Sequence, residues 1–263
     1  MFFIFKKKKV VLDCFTTNNN AYQYAPIAKA NEYIPDWWKN TPKEVNQFSH
    51  VGGVDMIGTI KSCAAFMDFY KHGIVLPSWF EMEVNINPVN SDVYWTYSTS
   101  DPESMPPNFH HSTAQFQGFA EQNMSNLKID SPWRFKTNRL VNFTWTSPLW
   151  NHKQINPHLQ ILPGCLNFHY QNATHINYCV MNDDKSHIVS ITPKMPLVIL
   201  HPLTEDEVEI KNHLVSDNEW GKISSIYSLF LNYTTSQRHL LYKRKKEMID
   251  SQTKSKCPFG FGK

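Results

Sequence analysis

Between residues 79 and 201 the chain keeps returning to one pattern, short runs in which apolar and polar residues alternate. "SWFEMEVNI" puts Trp79, Glu81, Glu83 and Asn85 on one side, with Phe80, Met82, Val84 and Ile86 on the other. Successive side chains of a strand point to opposite faces, so strict alternation predicts a strand with one buried face. "DVYWTYS" (92–98) alternates as well, and "PWRFKT" (132–137), "VNFTWTS" (141–147), "CLNFHY" (165–170), "HINYCV" (175–180), "HIVSI" (187–191) and "PLVILH" (196–201) are further strand candidates. Pro, Asn and Asp punctuate them. Many short strands with no long helices between them exclude a parallel α/β sheet. They predict a mainly β protein, an antiparallel β-sandwich or jelly-roll-like domain.

The flanks read differently. "VVLDCF" (10–15) is a first strand, and residues 24–42 carry prolines at 26, 35 and 42, which favours short turns and extended chain. Trp37 and Trp38 in that stretch should plug an apolar surface. "TIKSCAAFMDFYKHGI" predicts a short N-terminal helix over 62–72, with Phe66, Phe69 and Tyr70 on one face and Gly73 as the stop. After His201 the composition turns acidic and linker-like. A helix over 221–248 follows, its apolar stripe formed by Ile223, Ile226, Tyr227 and Phe230. The expected organisation is a strand and Pro/Trp-rich lid (1–58), a β-sandwich core (59–203), and a linker, helical arm and tail (204–263).

Composition closes several functional classes. With 9 glycines and no Gly-rich loop, Rossmann or P-loop nucleotide binding is not expected. A net charge of +3 is too small to predict a nucleic-acid surface. The five cysteines (14, 63, 165, 179 and 257) are odd in number and widely spaced, which predicts reduced thiols. "MFFIFKKKK" places apolar residues before the charges, the reverse of a secretory signal, and no apolar run is long enough to span a bilayer. Four Asn-x-Ser/Thr triplets, at Asn123, Asn142, Asn172 and Asn232, match what chance supplies.

Several blocks in order carry a resemblance: "TIKSCAAFMDFYKHGIVLPSWFEMEV", the His–x3–Gln of "HSTAQF", "SPWRFKT", "LPGCLNF", a late strand before "HPL", and the "CPF" tail. Over residues 59–203 and the tail, the chain resembles a family of uncharacterised proteins from marine tailed bacteriophages. Where those relatives read more like Gly-Thr-Pro before the final strand, this chain has "ITPKMPLVIL", with Lys194 and Met195 in place of a glycine turn. The resemblance implies a phage gene acting in the host bacterial cytoplasm or in the virion. It supplies no catalytic residues.

The leading expectation is therefore a non-enzymatic binding or assembly protein without a cofactor, whose partner is a second copy or another phage protein. Arg134 and Lys136 project from one strand face and form a candidate anion or partner site. Arg238, Lys243, Arg244 and Lys245, with Phe259 and Phe261 at the chain's end, are candidates for partner docking. The alternative is a cupin-like enzyme, an oxygenase holding Fe or another divalent metal. A metal site on a sheet needs donors on one face, joined by a donor from a later strand. His111 and Gln115 share a face, and His201 ends a later strand, so these three form the candidate set. The adjacent His110 points the other way. Glu81 and Glu83 have the spacing of a carboxylate pair but read as the solvated face of a strand.

Overall fold

The computed structural model describes residues 9–48, 52–89, 92–99, 124–151, 159–169, 171–181 and 186–231, together with residues 243, 246 and 247. The strands, in order, are β1 (Val10–Thr16), β2 (Ala28–Lys29), β3 (Glu44–Phe48), β4 (Val54–Gly58), β5 (Ile74–Pro77), β6 (Met82–Val89), β7 (Asp92–Ser98) and β8 (Met124–Thr137). They continue with β9 (Asn142–Thr146), β10 (Leu159–Ile161), β11 (Gly164–Asn167), β12 (Ala173–Met181), β13 (His187–Ile191), β14 (Pro196–Pro202) and β15 (Val208–Leu214). The helices are α1 (Asn19–Tyr24), α2 (Asp36–Asn40), α3 (Ala64–His72) and α4 (Asp217–Leu231). The protein is mainly β, with several antiparallel sheets and few helices among the described residues.

Two five-stranded sheets, in the orders β10-β12-β8-β1-β15 and β11-β9-β14-β5-β2, hold most of the strands. A three-stranded sheet (β13-β6-β7) and the β3–β4 hairpin complete the set. The alternation read from sequence decides which side each strand buries. On β8, Leu127, Ile129, Trp133 and Phe135 are fully buried, while Lys128, Asp130, Arg134 and Lys136 take the opposite face. Both five-stranded sheets feed one hydrophobic cluster. Phe168 bridges them, its ring centroid 5.0 Å from Phe135 and 5.1 Å from Phe143. The Tyr178 hydroxyl, on β12, donates to the Leu197 carbonyl of β14 across 2.9 Å, so this buried phenol is satisfied where it enters the core. Trp79, Trp133 and Trp145 are buried, as expected of core tryptophans; the Trp95 side chain is outside the described residues.

A second cluster forms where α3 lies on the outer face of the β5/β14 pair, with Phe66 and Tyr70 against Val75 and Ile199. Gly73 ends α3, for a reason other than a left-handed cap. Its φ is −68°. A Cβ there would stand 2.8 Å from the Phe69 carbonyl oxygen and 2.9 Å from both Ala30 and Ile199. Glycine is required because the helix end presses directly on the sheet.

The C-terminal segment departs from expectation. Residues 208–214 were expected within an acidic linker, but they form β15, paired in parallel with β1 from Val10–Val208 to Thr16–Leu214. Only Val208 is fully buried on this edge strand; Ile210 is half-buried, Leu214 is exposed, and the remaining positions are polar. That makes its sequence look like a loop. The arm helix also begins earlier than Gly221, at Asp217. Ser216 caps it: the Glu219 N–H reaches the Ser216 hydroxyl, and the Ser216 N–H donates to the Glu219 carboxylate at 3.0 Å. This reciprocal cap is the Ser-x-x-Glu box. No helix among the described residues is long and apolar enough to cross a membrane.

Candidate functional site

The segment "IPDWWKN" builds the most distinctive surface. Pro35 sits at the N-cap of α2, where its missing N–H costs nothing. The short helix then lays two indoles on Phe66 of α3. Trp38 stacks on that ring at 5.2 Å, and Trp37 meets it edge-on at 6.0 Å. Trp150 closes the group from the other side, 5.1 Å from Phe66, and its carbonyl accepts the Trp37 indole N–H at 2.7 Å. Lys61 caps the shelf, its ammonium 5.3 Å over Trp38 and donating to the Lys39 carbonyl at 2.7 Å. The expectation that Trp37 and Trp38 plug an apolar surface agrees with this packing, although both stay half-exposed.

The β3–β4 hairpin leaves from this shelf. Its root is tied by the Thr59 N–H donating to the Lys43 carbonyl at 2.9 Å, and the Thr59 hydroxyl donates to the Pro42 carbonyl. Beyond the root it pairs with no other strand of the described structure. Every residue of β4 is exposed, including Val54 (57%) and Met56 (68%) on one face. Val45 and Ile57, directly opposite each other in register, are exposed on the other face. Leu149 and Met67 add exposed apolar surface beside the shelf.

Beside α2 opens a cleft of about 400 Å³, lined in part by Glu32, Tyr33, Asp36, Trp37, Asn151 and Lys194. Asn151 is fixed: its amide oxygen accepts from the buried Tyr70 hydroxyl at 2.8 Å, and its NH2 donates to the Tyr33 carbonyl at 3.0 Å. Burial pushes the Tyr33 phenol up to about 12, with the Glu32 carboxylate adding to the effect. Lys194 has a φ of +67°, the one positive value for a non-glycine residue among those described.

Of the candidate metal, anion and docking residues, those described are Arg134, Lys136, His201 and Lys243. Arg134 is half-buried; its guanidinium donates to the carbonyls of Ser131 and Trp133 at 3.1 and 3.0 Å and lies 4.9 Å from the Trp220 ring of α4. It acts as a bracket between sheet and helix, while Lys136 is exposed. His201 shares the α3-facing side of β14 with Ile199 and packs 4.4 Å from the Phe69 ring. Burial, then the His72 charge, lowers it to about 4. It therefore points away from the cluster shared by the sheets, where a cupin-type site would need it. Its proposed co-ligands His111 and Gln115 lie outside the described residues, as do Arg238, Arg244, Lys245, Phe259 and Phe261. Lys243 is helical and exposed. Among the described residues no group of three His, Cys, Asp or Glu side chains is placed to hold a metal. Glu81 and Glu83 are exposed, as a solvated face requires.

One polar cluster escaped the sequence reading. On the outer face of β8 and β12, His175 Nδ1 lies 2.5 Å from Asp130 Oδ1, and Lys128 Nζ lies 3.0 Å from the same oxygen. Burial is the main cause that lowers the His175 pKa. The register pairs His175 with Asp130 and Asn177 with Lys128, a relation across strands far apart in sequence. Alternation along "HINYCV" puts His175, Asn177 and Cys179 on one side of the strand but cannot supply the facing strand. No protein-family model, curated protein or solved structure matches the chain.

Proposed function

We propose that this is a non-enzymatic binding or assembly protein of a tailed phage, with a β-sandwich core formed by the two five-stranded sheets. The observation that carries the reading is the β3–β4 hairpin. An isolated two-stranded hairpin has little stability of its own in water. This one exposes Val54 and Met56 on one face and Val45 and Ile57 on the other. Exposed apolar residues grouped on a projecting element suit burial against a protein partner, and the open strand edges suit pairing with a further strand. The tryptophan shelf gives the hairpin a rigid root.

A second copy of this chain is the partner to test first. Light scattering over a range of concentrations should show wild-type protein self-associating. The double variant Val54→Ser/Met56→Ser should stay monomeric with an unchanged melting temperature, because neither residue contributes to the core. A wild-type protein that is monomeric throughout, together with one equivalent of Fe, Mn or Zn in untagged protein, would overturn the assembly reading in favour of a metal enzyme.

A further inference from the structure

We propose that the cleft between α2 and the Thr192–Met195 turn binds a small zwitterion, a molecule of amino-acid to dipeptide size with one carboxylate and one ammonium group. The argument starts from the backbone of Lys194. The turn is pinned on both sides: the Lys194 N–H donates to the Ser78 carbonyl at 2.8 Å, and the Ser78 N–H donates to the Met195 carbonyl at 2.8 Å. The Met195 N–H closes the turn on the Thr192 carbonyl at 3.1 Å. These bonds hold Lys194 at a φ of +67°, where any residue with a Cβ is strained and glycine is not. All three bonds are made by main-chain atoms, so glycine would satisfy them equally well. The bonds account for the turn but not for the lysine. What the lysine adds is a charged side chain on a residue that lines a cleft, and backbone strain held in place by its surroundings is a mark of a functional position.

The charges of the cleft then define the ligand. Asp36 and Lys39 neutralise each other at 3.1 Å. That leaves Glu32 and Lys194, neither of which forms an ion pair among the described residues. One unpaired carboxylate and one unpaired ammonium in a single cleft call for a ligand carrying both opposite charges. A volume of about 400 Å³ admits a dipeptide but not a folded partner. The fixed Asn151 and the rings of Tyr33 and Trp37 give it a pre-formed wall. The site is independent of the hairpin, and its failure would leave the assembly reading untouched.

The test is calorimetric titration of the full chain with alanyl-phenylalanine, its N-acetyl form and its C-terminal amide. The free dipeptide should bind saturably, and blocking either end should weaken it about tenfold or more, the loss of one charge-assisted contact. Lys194→Gly should weaken dipeptide binding to the same degree while raising the melting temperature, because the strain is relieved. Glu32→Gln should weaken the free dipeptide while leaving the N-acetyl form unchanged. A well-folded Lys194→Gly protein that binds as the wild type does, or wild-type protein that shows no saturable heat with the dipeptide, would overturn the proposal.

Discussion

His201 shows how one side chain couples this fold to pH. Its pKa falls from 6.5 to about 4 in the folded chain because it is packed under α3 against Phe69. The unfolded chain therefore takes up a proton near pH 6.5 that the folded chain refuses until about pH 4. Stability contributed by this group is fully present above pH 6.5 and is lost as pH falls through that window. The loss should be about 1–3 kcal/mol, the upper figure being the full shift at 1.36 kcal/mol per unit and the lower allowing for partial exposure. His175 is shifted in the same direction and adds to the slope. Urea midpoints at pH 7 and pH 4.5 should differ for the wild type, and His201→Gln should narrow that difference. An unaltered difference would mean that His201 is hydrated in solution.

At the scale of elements, α4 is held at its start by a cap rather than by its sequence propensity. Ser216→Ala removes the hydroxyl that accepts the Glu219 N–H and donates to its carboxylate, while the Ser216 N–H bond to that carboxylate remains, and should lower stability by about 1 kcal/mol, read as a reduced denaturation midpoint. An unchanged midpoint would show that α4 frays without consequence for the rest. The element boundaries also show where sequence reading succeeds. β6, β9, β12 and β13 were legible because each buries one face and leaves the other wetter, a contrast written into alternate residues, and β14 because its run of apolar residues is buried on both faces. β15 was not, since an edge strand with a half-wet face carries little hydrophobic contrast. The Ser-x-x-Glu box was present in the sequence but passed over. The Asp130–His175 contact had no local signal, being set by strand register, whereas the Lys194 backbone had a partial one, Pro193 in a turn where a glycine was expected, with the bonds to Ser78 that pin it invisible in sequence.

For the whole molecule, the decisive feature is that the first sheet is assembled from both ends of the described chain. β1 lies between β8 and β15, and the Asp13 carboxylate meets His213 Nε2 at 2.8 Å, 200 residues away in sequence. A fragment limited to residues 59–203 would lack two adjacent strands of that sheet and would uncover the β8 edge. It should be poorly soluble and show no cooperative melt, whereas residues 9–231 should melt in one transition, as followed by circular dichroism. A cooperative melt of the short fragment would show instead that the terminal strands are accessories. The same arrangement bears on how the protein is made. Of the described strands β1 is translated first, with Val10, Leu12 and Cys14 destined for the core, and its parallel partner β15 last. Until β15 emerges, one edge of β1 lacks its hydrogen-bonding partner. Such long-range closure is slow, and a chain waiting on it is vulnerable to aggregation. The yield of native protein in the cell should therefore depend on holding chaperones engaging nascent β1, more than on the stability of the finished fold.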